Sequence, residues 1–181
     1  MDQNFKYSIN TKEKTADIIN CISSDREILI PRSITVDSEE YVITSIQEGA
    51  FKNAQKLFAV EFSDDSEIRT IKKDAFSGSK IYTINNIPAS LIELEAGWCN
   101  NTPLLAHISI NSKNPRYFEH DYDMVVGKSS IDTYDKYDEL VFVSRQITIA
   151  KIPSFIKKIC PYAFAKCKEL NQVEFQDDSK L

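Results

Sequence analysis

The chain has 181 residues and a net charge of −5, with 42% hydrophobic and 27% charged residues, four Gly and six Pro. That balance suits one folded domain and excludes a disordered or collagen-like chain. The charge gives no reason to expect nucleic acid or an anionic membrane as partner, and no apolar run approaches the ~18 residues of a membrane helix.

The first ten residues, MDQNFKYSIN, show neither the basic nor the apolar segment of a secretory leader. The expectation is an intracellular chain, or one that starts inside a longer precursor. Tyr7 and Ile9, then Ala16, Ile18 and Ile19, flank a Lys-rich polar stretch and predict a strand, a turn and a strand. Ile28 to Ile30, Ile34 and Val36 follow, then the turn residues Asp37 to Glu40 and the run Tyr41 to Ile43. Residues 1–42 are therefore expected to form a β-hairpin cap, which the first turn of a solenoid needs to cover its core.

Ile43 to Ile68 is the stretch that reveals the plan. It aligns without a gap against Ile156 to Leu181, and 11 of 26 positions are identical. Ile43/Ile156, Ile46/Ile159, Ala50/Ala163, Phe51/Phe164, Leu57/Leu170, Val60/Val173 and Phe62/Phe175 are all shared. Apolar matches at fixed spacing are what repeated burial in one framework requires. A further turn starts at Ile68 and keeps Ala75-Phe76, with Asn85-Asn86 expected as a bulge. In the next, Trp98-Cys99 stands where Ala-Phe is expected.

The period is about 24 residues, within the ~20–29 of leucine-rich repeats. Leu57-Val60-Phe62, Leu105-Ile108-Ile110 and Leu170-Val173-Phe175 each fit L-x-x-L-x-L. Short strands bearing these residues should stack in parallel, with the Ala-Phe pair on the return path. The repeats occupy 43–110 and resume over 147–181. Residues 111–146 interrupt them with two apolar triplets, Met124 to Val126 and Val141 to Val143, which predict an inserted β island. The fold expected is a strand-rich leucine-rich repeat solenoid of the α/β horseshoe class, with a parallel sheet of short strands.

These motifs resemble the BspA-type leucine-rich repeat proteins, surface antigens of mucosal bacteria that also occur in trichomonad-type protists. The island resembles that family's insertion at Asn114-Pro115, Tyr117, Val125 to Gly127 and Leu140 to Phe142. The resemblance implies a non-enzymatic protein-binding and adhesion role at a cell surface, directed at host or matrix proteins. It supplies no fixed binding residues. An intracellular scaffold using the same face is the alternative.

Catalysis finds no nominee: His107 and His120 have no sequence-assigned partner, and no P-loop, G-x-S-x-G or H-E-x-x-H motif occurs. No cofactor or metal is expected. Glu119, Asp121, Asp123, Asp132, Asp135, Asp138 and Glu139 lack the ordered spacing of a calcium loop. Cys21, Cys99, Cys160 and Cys167 read as free thiols, and Asn100-Asn101-Thr102 as a glycosylation sequon that matters only in a secreted chain. The outward row of the stacked strands is the first candidate surface: Glu61, Ser63, Thr83, His107, Ser109, Gln172 and Glu174. The island tyrosines Tyr117, Tyr122, Tyr134 and Tyr137 are the second. Lys180-Leu181 stops where another turn should begin, so the last turn is expected to self-associate or to come from a longer chain.

Overall fold

The computed structural model describes residues 4–130 and 137–181, and among these every regular element is a strand. The first eight are β1 (Phe5–Asn10), β2 (Thr15–Cys21), β3 (Glu27–Ile30), β4 (Ser33–Val36), β5 (Glu39–Ile46), β6 (Ala59–Phe62), β7 (Thr70–Ile71) and β8 (Thr83–Ile87). They are followed by β9 (Glu93–Leu94), β10 (His107–Ile110), β11 (Tyr117–His120), β12 (Met124–Gly127), β13 (Glu139–Val143), β14 (Ile149–Ile152), β15 (Lys158–Ile159) and β16 (Gln172–Phe175).

The chain winds as a solenoid between two stacks of strands. One stack is the parallel sheet β3, β6, β8, β10, where Glu27, Ala59, Thr83 and His107 lie side by side, as do Ile28, Val60, Ile84 and Ile108. Alternation of side chains sends the second set inward, where all four are buried. The other stack runs β2, β5, β7, β9 in parallel, pairing Ile46 with Ile71 and Ile71 with Leu94. The expected bulge is present: the β8–β10 register shifts between Ile108 and Ile110, and Asn86 takes φ 56°. β3 shows that the stack begins before residue 43.

At the N-terminal end β1 pairs antiparallel with β2, and β4 with β5. The β4–β5 hairpin turns through Asp37 and Ser38 at φ 51° and 66°. Phe5, 3% exposed, lies edge-on to Phe51 with ring centroids 5.7 Å apart. Phe51 stacks on Phe76 at 4.7 Å, and Phe76 meets Trp98 edge-on at 6.0 Å. Trp98 therefore continues the aromatic column although it stands one position before the expected Phe. The return path is a tight turn hydrogen-bonded to its neighbour, Phe51 N to Ala75 O and Phe76 N to Trp98 O.

Two backbone positions make that turn possible. The residue before the Ala-Phe site is left-handed in every copy: Gly49, Asp74, Gly97 and Tyr162, at φ 69°, 55°, 79° and 67°. The third residue after Ala is left-handed as well: Asn53, Gly78, Asn101 and Lys166. Gly, Asn and Asp accept that region at low cost, whereas Tyr and Lys do not.

The island is a bridge between two cores. β11, β12 and β13 form an antiparallel meander, and β13 then pairs in parallel with β15. Val125 and Phe142 pack into the core of the first turns, while Met124, Val126, Leu140 and Val143 join a second core with Ala150, Ile152 and Ile156. The last strand pair, β14 and β16, is a separate sheet of two strands. In this last turn burial fails. Phe164 and Leu170 are only half-buried, and Val173 and Phe175 are 41% and 52% exposed, while Phe51, Leu57, Val60 and Phe62 are buried.

Candidate binding surface

The outward face of the sheet β3–β6–β8–β10 carries Glu27, Leu29, Ala59, Glu61, Thr83, Asn85, His107 and Ser109. Glu61 and His107 are exposed. Thr83 donates its hydroxyl to Asn85 Oδ1 at 2.7 Å, and Ser109 Oγ accepts from the Asn86 amide at 2.9 Å, so these two also stabilise the bulge. Ser63, just past β6, keeps its hydroxyl buried with no partner among the described residues. Gln172 and Glu174 do not join this face. They stand on β16, where Gln172 donates to Glu174 at 3.0 Å and Lys151 lies 3.9 Å from Glu174. The island breaks the ladder between β10 and β14, so the row expected from the sequence is two rows.

Beside the first row runs a column of rings that ends at His107. Phe58 and Tyr82 stack 5.2 Å apart and nearly parallel, at 5°, and Tyr82 meets His107 edge-on at 5.5 Å. Arg26 places its guanidinium 5.4 Å from the Phe58 ring. The backbone sets the spacing, because Phe58 N donates to Arg26 O, Tyr82 N to Phe58 O and Ala106 N to Tyr82 O. The signal was available: Phe58 and Tyr82 directly follow the buried Leu57 and Ile81 in successive turns. At the far end burial pushes the Glu119 carboxyl above its ordinary value, with neighbouring His107 pulling it down.

The island tyrosines part company. Tyr117 is 5% exposed, and its hydroxyl accepts from Leu94 N at 2.9 Å, so it serves as packing. Burial raises its pKa. Tyr122 is 79% exposed, while Tyr137 is half-buried 5.6 Å from Phe118. Tyr134, with Asp132 and Asp135, lies outside the described residues. Among the described residues no three His, Cys, Asp or Glu side chains gather as a metal set, and no helix is long and apolar enough to cross a membrane.

The profile of the BspA type leucine rich repeat region matches residues 28–121 and 130–180, in six copies. This chain belongs to the BspA-type leucine-rich repeat family. The family is of a protein-binding repeat type and generally non-enzymatic. No curated protein sequence matches the chain. Among similar solved structures, those from Bacteroides ovatus and Eubacterium ventriosum share the fold of this BspA-type chain at low identity. A leucine-rich repeat protein from Bacteroides ovatus ATCC 8483 is 18% identical with a TM-score of 0.59, over 100% of this chain and 45% of its own. One from Eubacterium ventriosum ATCC 27560 is 16% identical at 0.52, over 98% and 59%. A leucine rich cell surface protein from Faecalibacterium prausnitzii A2-165 is 15% identical, with a TM-score of 0.45, over 97% of this chain and 76% of its own. The chain thus spans about half the length of the first two.

One buried charge in this BspA-type chain has no counterpart in the sequence reading. Arg145 is 2% exposed and stacks over Phe142 at 4.5 Å. It donates to Val143 O at 3.1 Å and Ala163 O at 2.7 Å, and touches the Cys99 and Cys167 sulfurs at 3.7 and 3.8 Å. Carbonyl dipoles and polarisable sulfur stand in for a carboxylate. Burial nonetheless pushes the Cys99 thiol up to about 11, against the pull of Arg145.

Proposed function

We propose that the chain is a non-enzymatic adhesion module displayed at a cell surface, and that it grips a protein partner with the outward face of β3–β6–β8–β10. The ring column Phe58–Tyr82–His107 carries this reading, since rigid aromatic side chains at a sheet surface give contact area at little entropic cost. Surface display and host or matrix partners are supported by the family membership. The test is binding of the chain to purified extracellular-matrix proteins by interferometry. A partner found this way should lose about tenfold or more in affinity on combining Phe58→Ala with Tyr82→Ala. Glu61→Lys should shift it too, with Glu174→Lys acting only if the partner also spans β16. Undiminished binding by the double variant would end the assignment of this face.

A second surface reading concerns self-association through the last turn. Val173 and Phe175 are exposed, while the identical row at Val60 and Phe62 is covered by the following turn. Among the described residues β16 pairs only with β14 and offers its other edge. Mass measured by light scattering over a concentration series should rise above 20.7 kDa, and Phe175→Ser should hold it there. A monomeric wild-type mass at every concentration would remove this contact.

A further inference from the structure

A cleft of about 460 Å³ opens between the island and the last turn, away from the residues of the ring column. That volume lies in the range of ligand sites, ~300–1,000 Å³. Its floor is Val126, fully buried, and its walls are the rings of Phe118, Tyr137 and Phe155. Phe118 and Phe155 both line the cleft and remain 48% and 38% exposed, so they present apolar surface to a ligand. The rings are held in place: Tyr137 against Phe118 at 5.6 Å, and Phe155 edge-on to His120 at 5.7 Å.

The charge at the rim runs against that of the molecule. The chain is acidic overall, yet Lys157 and Lys180 both line this cleft, and neither has an ion pair among the described residues. One carboxylate, Asp138, lines the cleft with them, against the two ammonium groups. Asp138 accepts from the amide and the hydroxyl of Ser129, each at 2.9 Å, and Asp121 lies 3.4 Å from His120. Lys128, outside the lining, lies 5.1 Å from the Tyr137 ring. Apolar walls with unpaired ammonium groups on the rim fit an aromatic group accompanied by carboxylates, since the ring fills the floor while the carboxylates meet the lysines.

We propose that this cleft is a second recognition site, which takes an aromatic side chain flanked by acidic residues on an extended segment of a protein partner. It rests on the protein-binding reading of the repeat but not on the sheet face. The probe is a short blocked peptide with one phenylalanine between aspartates, titrated into the full chain and followed by amide chemical shifts. Saturable shifts should centre on Phe118, His120 and Phe155. Replacing the peptide's phenylalanine by alanine, or its aspartates by lysines, should weaken binding about tenfold or more, and added salt should weaken it further. Phe118→Ala and the pair Lys157→Glu with Lys180→Glu should do the same while an unchanged thermal melt shows the fold intact. Equal binding of all three peptides, shifts that map to Phe58 and Tyr82, or no saturation would overturn the proposal. Loss of matrix binding in Phe58→Ala with Tyr82→Ala but not in the cleft variants would leave the sheet face standing alone.

Discussion

The return path of each turn depends on two residues with left-handed backbone, and the last turn fills both positions badly. Tyr162 and Lys166 stand where earlier copies use Gly, Asp or Asn. A side chain in that region costs about 1 kcal/mol or more. Lys166 is exposed, so replacement by Gly removes strain without removing packing. Lys166→Gly is therefore expected to raise stability by about 0.5–1 kcal/mol in urea unfolding, and a loss would show that the turn is held by the lysine itself. Gly78 marks the opposite limit. A Cβ there would meet Asn53 Oδ1 at 2.3 Å, at φ 71°, so a larger residue must displace the Asn53 side chain as well as accept the left-handed backbone. Both columns were legible in the sequence as Gly, Asn and Asp recurring around Ala-Phe. Arg145 was not, because nothing in the run Val143-Ser144-Arg145 marks it as buried beneath two thiols.

For the elements, burial separates copies that the sequence makes equal. Phe51 packs between Phe5 and Phe76, whereas Phe164 has no turn beyond it among the described residues. Phe51→Ala should cost about 3–5 kcal/mol, and Phe164→Ala clearly less, by chemical denaturation. Equal costs would mean that the last turn is covered in solution. Neighbouring turns are also tied by charge, since Lys72 donates to Glu95 at 2.7 Å and the Lys73 amide donates to the same carboxylate at 2.8 Å. Those hydrogen bonds hold the Glu95 carboxyl below its ordinary value. A depressed carboxyl stabilises the fold above its unfolded-state pKa, and the gain fades as pH falls through the lower folded value. The melting-temperature gap between wild type and Glu95→Gln should accordingly close on acidification through that window. A gap unchanged to low pH would assign the effect to packing.

The whole molecule shows why the strands were readable and the surface less so. Val60, Ile84 and Ile108 recur because one core must be filled once per turn, and a period of this kind is visible in any single chain. Phe58 and Tyr82 recur for a different reason: they touch each other, not the core, and apolar patterning does not test for that. The separation of Gln172 and Glu174 from Glu61 follows from the island, whose pairing with β15 no periodicity foretells. Tyr117 likewise passed for a surface aromatic because its hydroxyl partner, the Leu94 amide, is a backbone group.

That island sheet is a party wall. Val125 and Phe142 furnish one side, Met124, Val126, Leu140 and Val143 the other, and the same two strands bear both. Solenoids built of identical turns can fray inward from an end, one unit at a time. Here the second core cannot be vacated without stripping one face of β12 and β13 to water. The C-terminal turns are thereby bound to the fate of the rest, and a ligand that clamps their cleft would be felt on the far side of the wall.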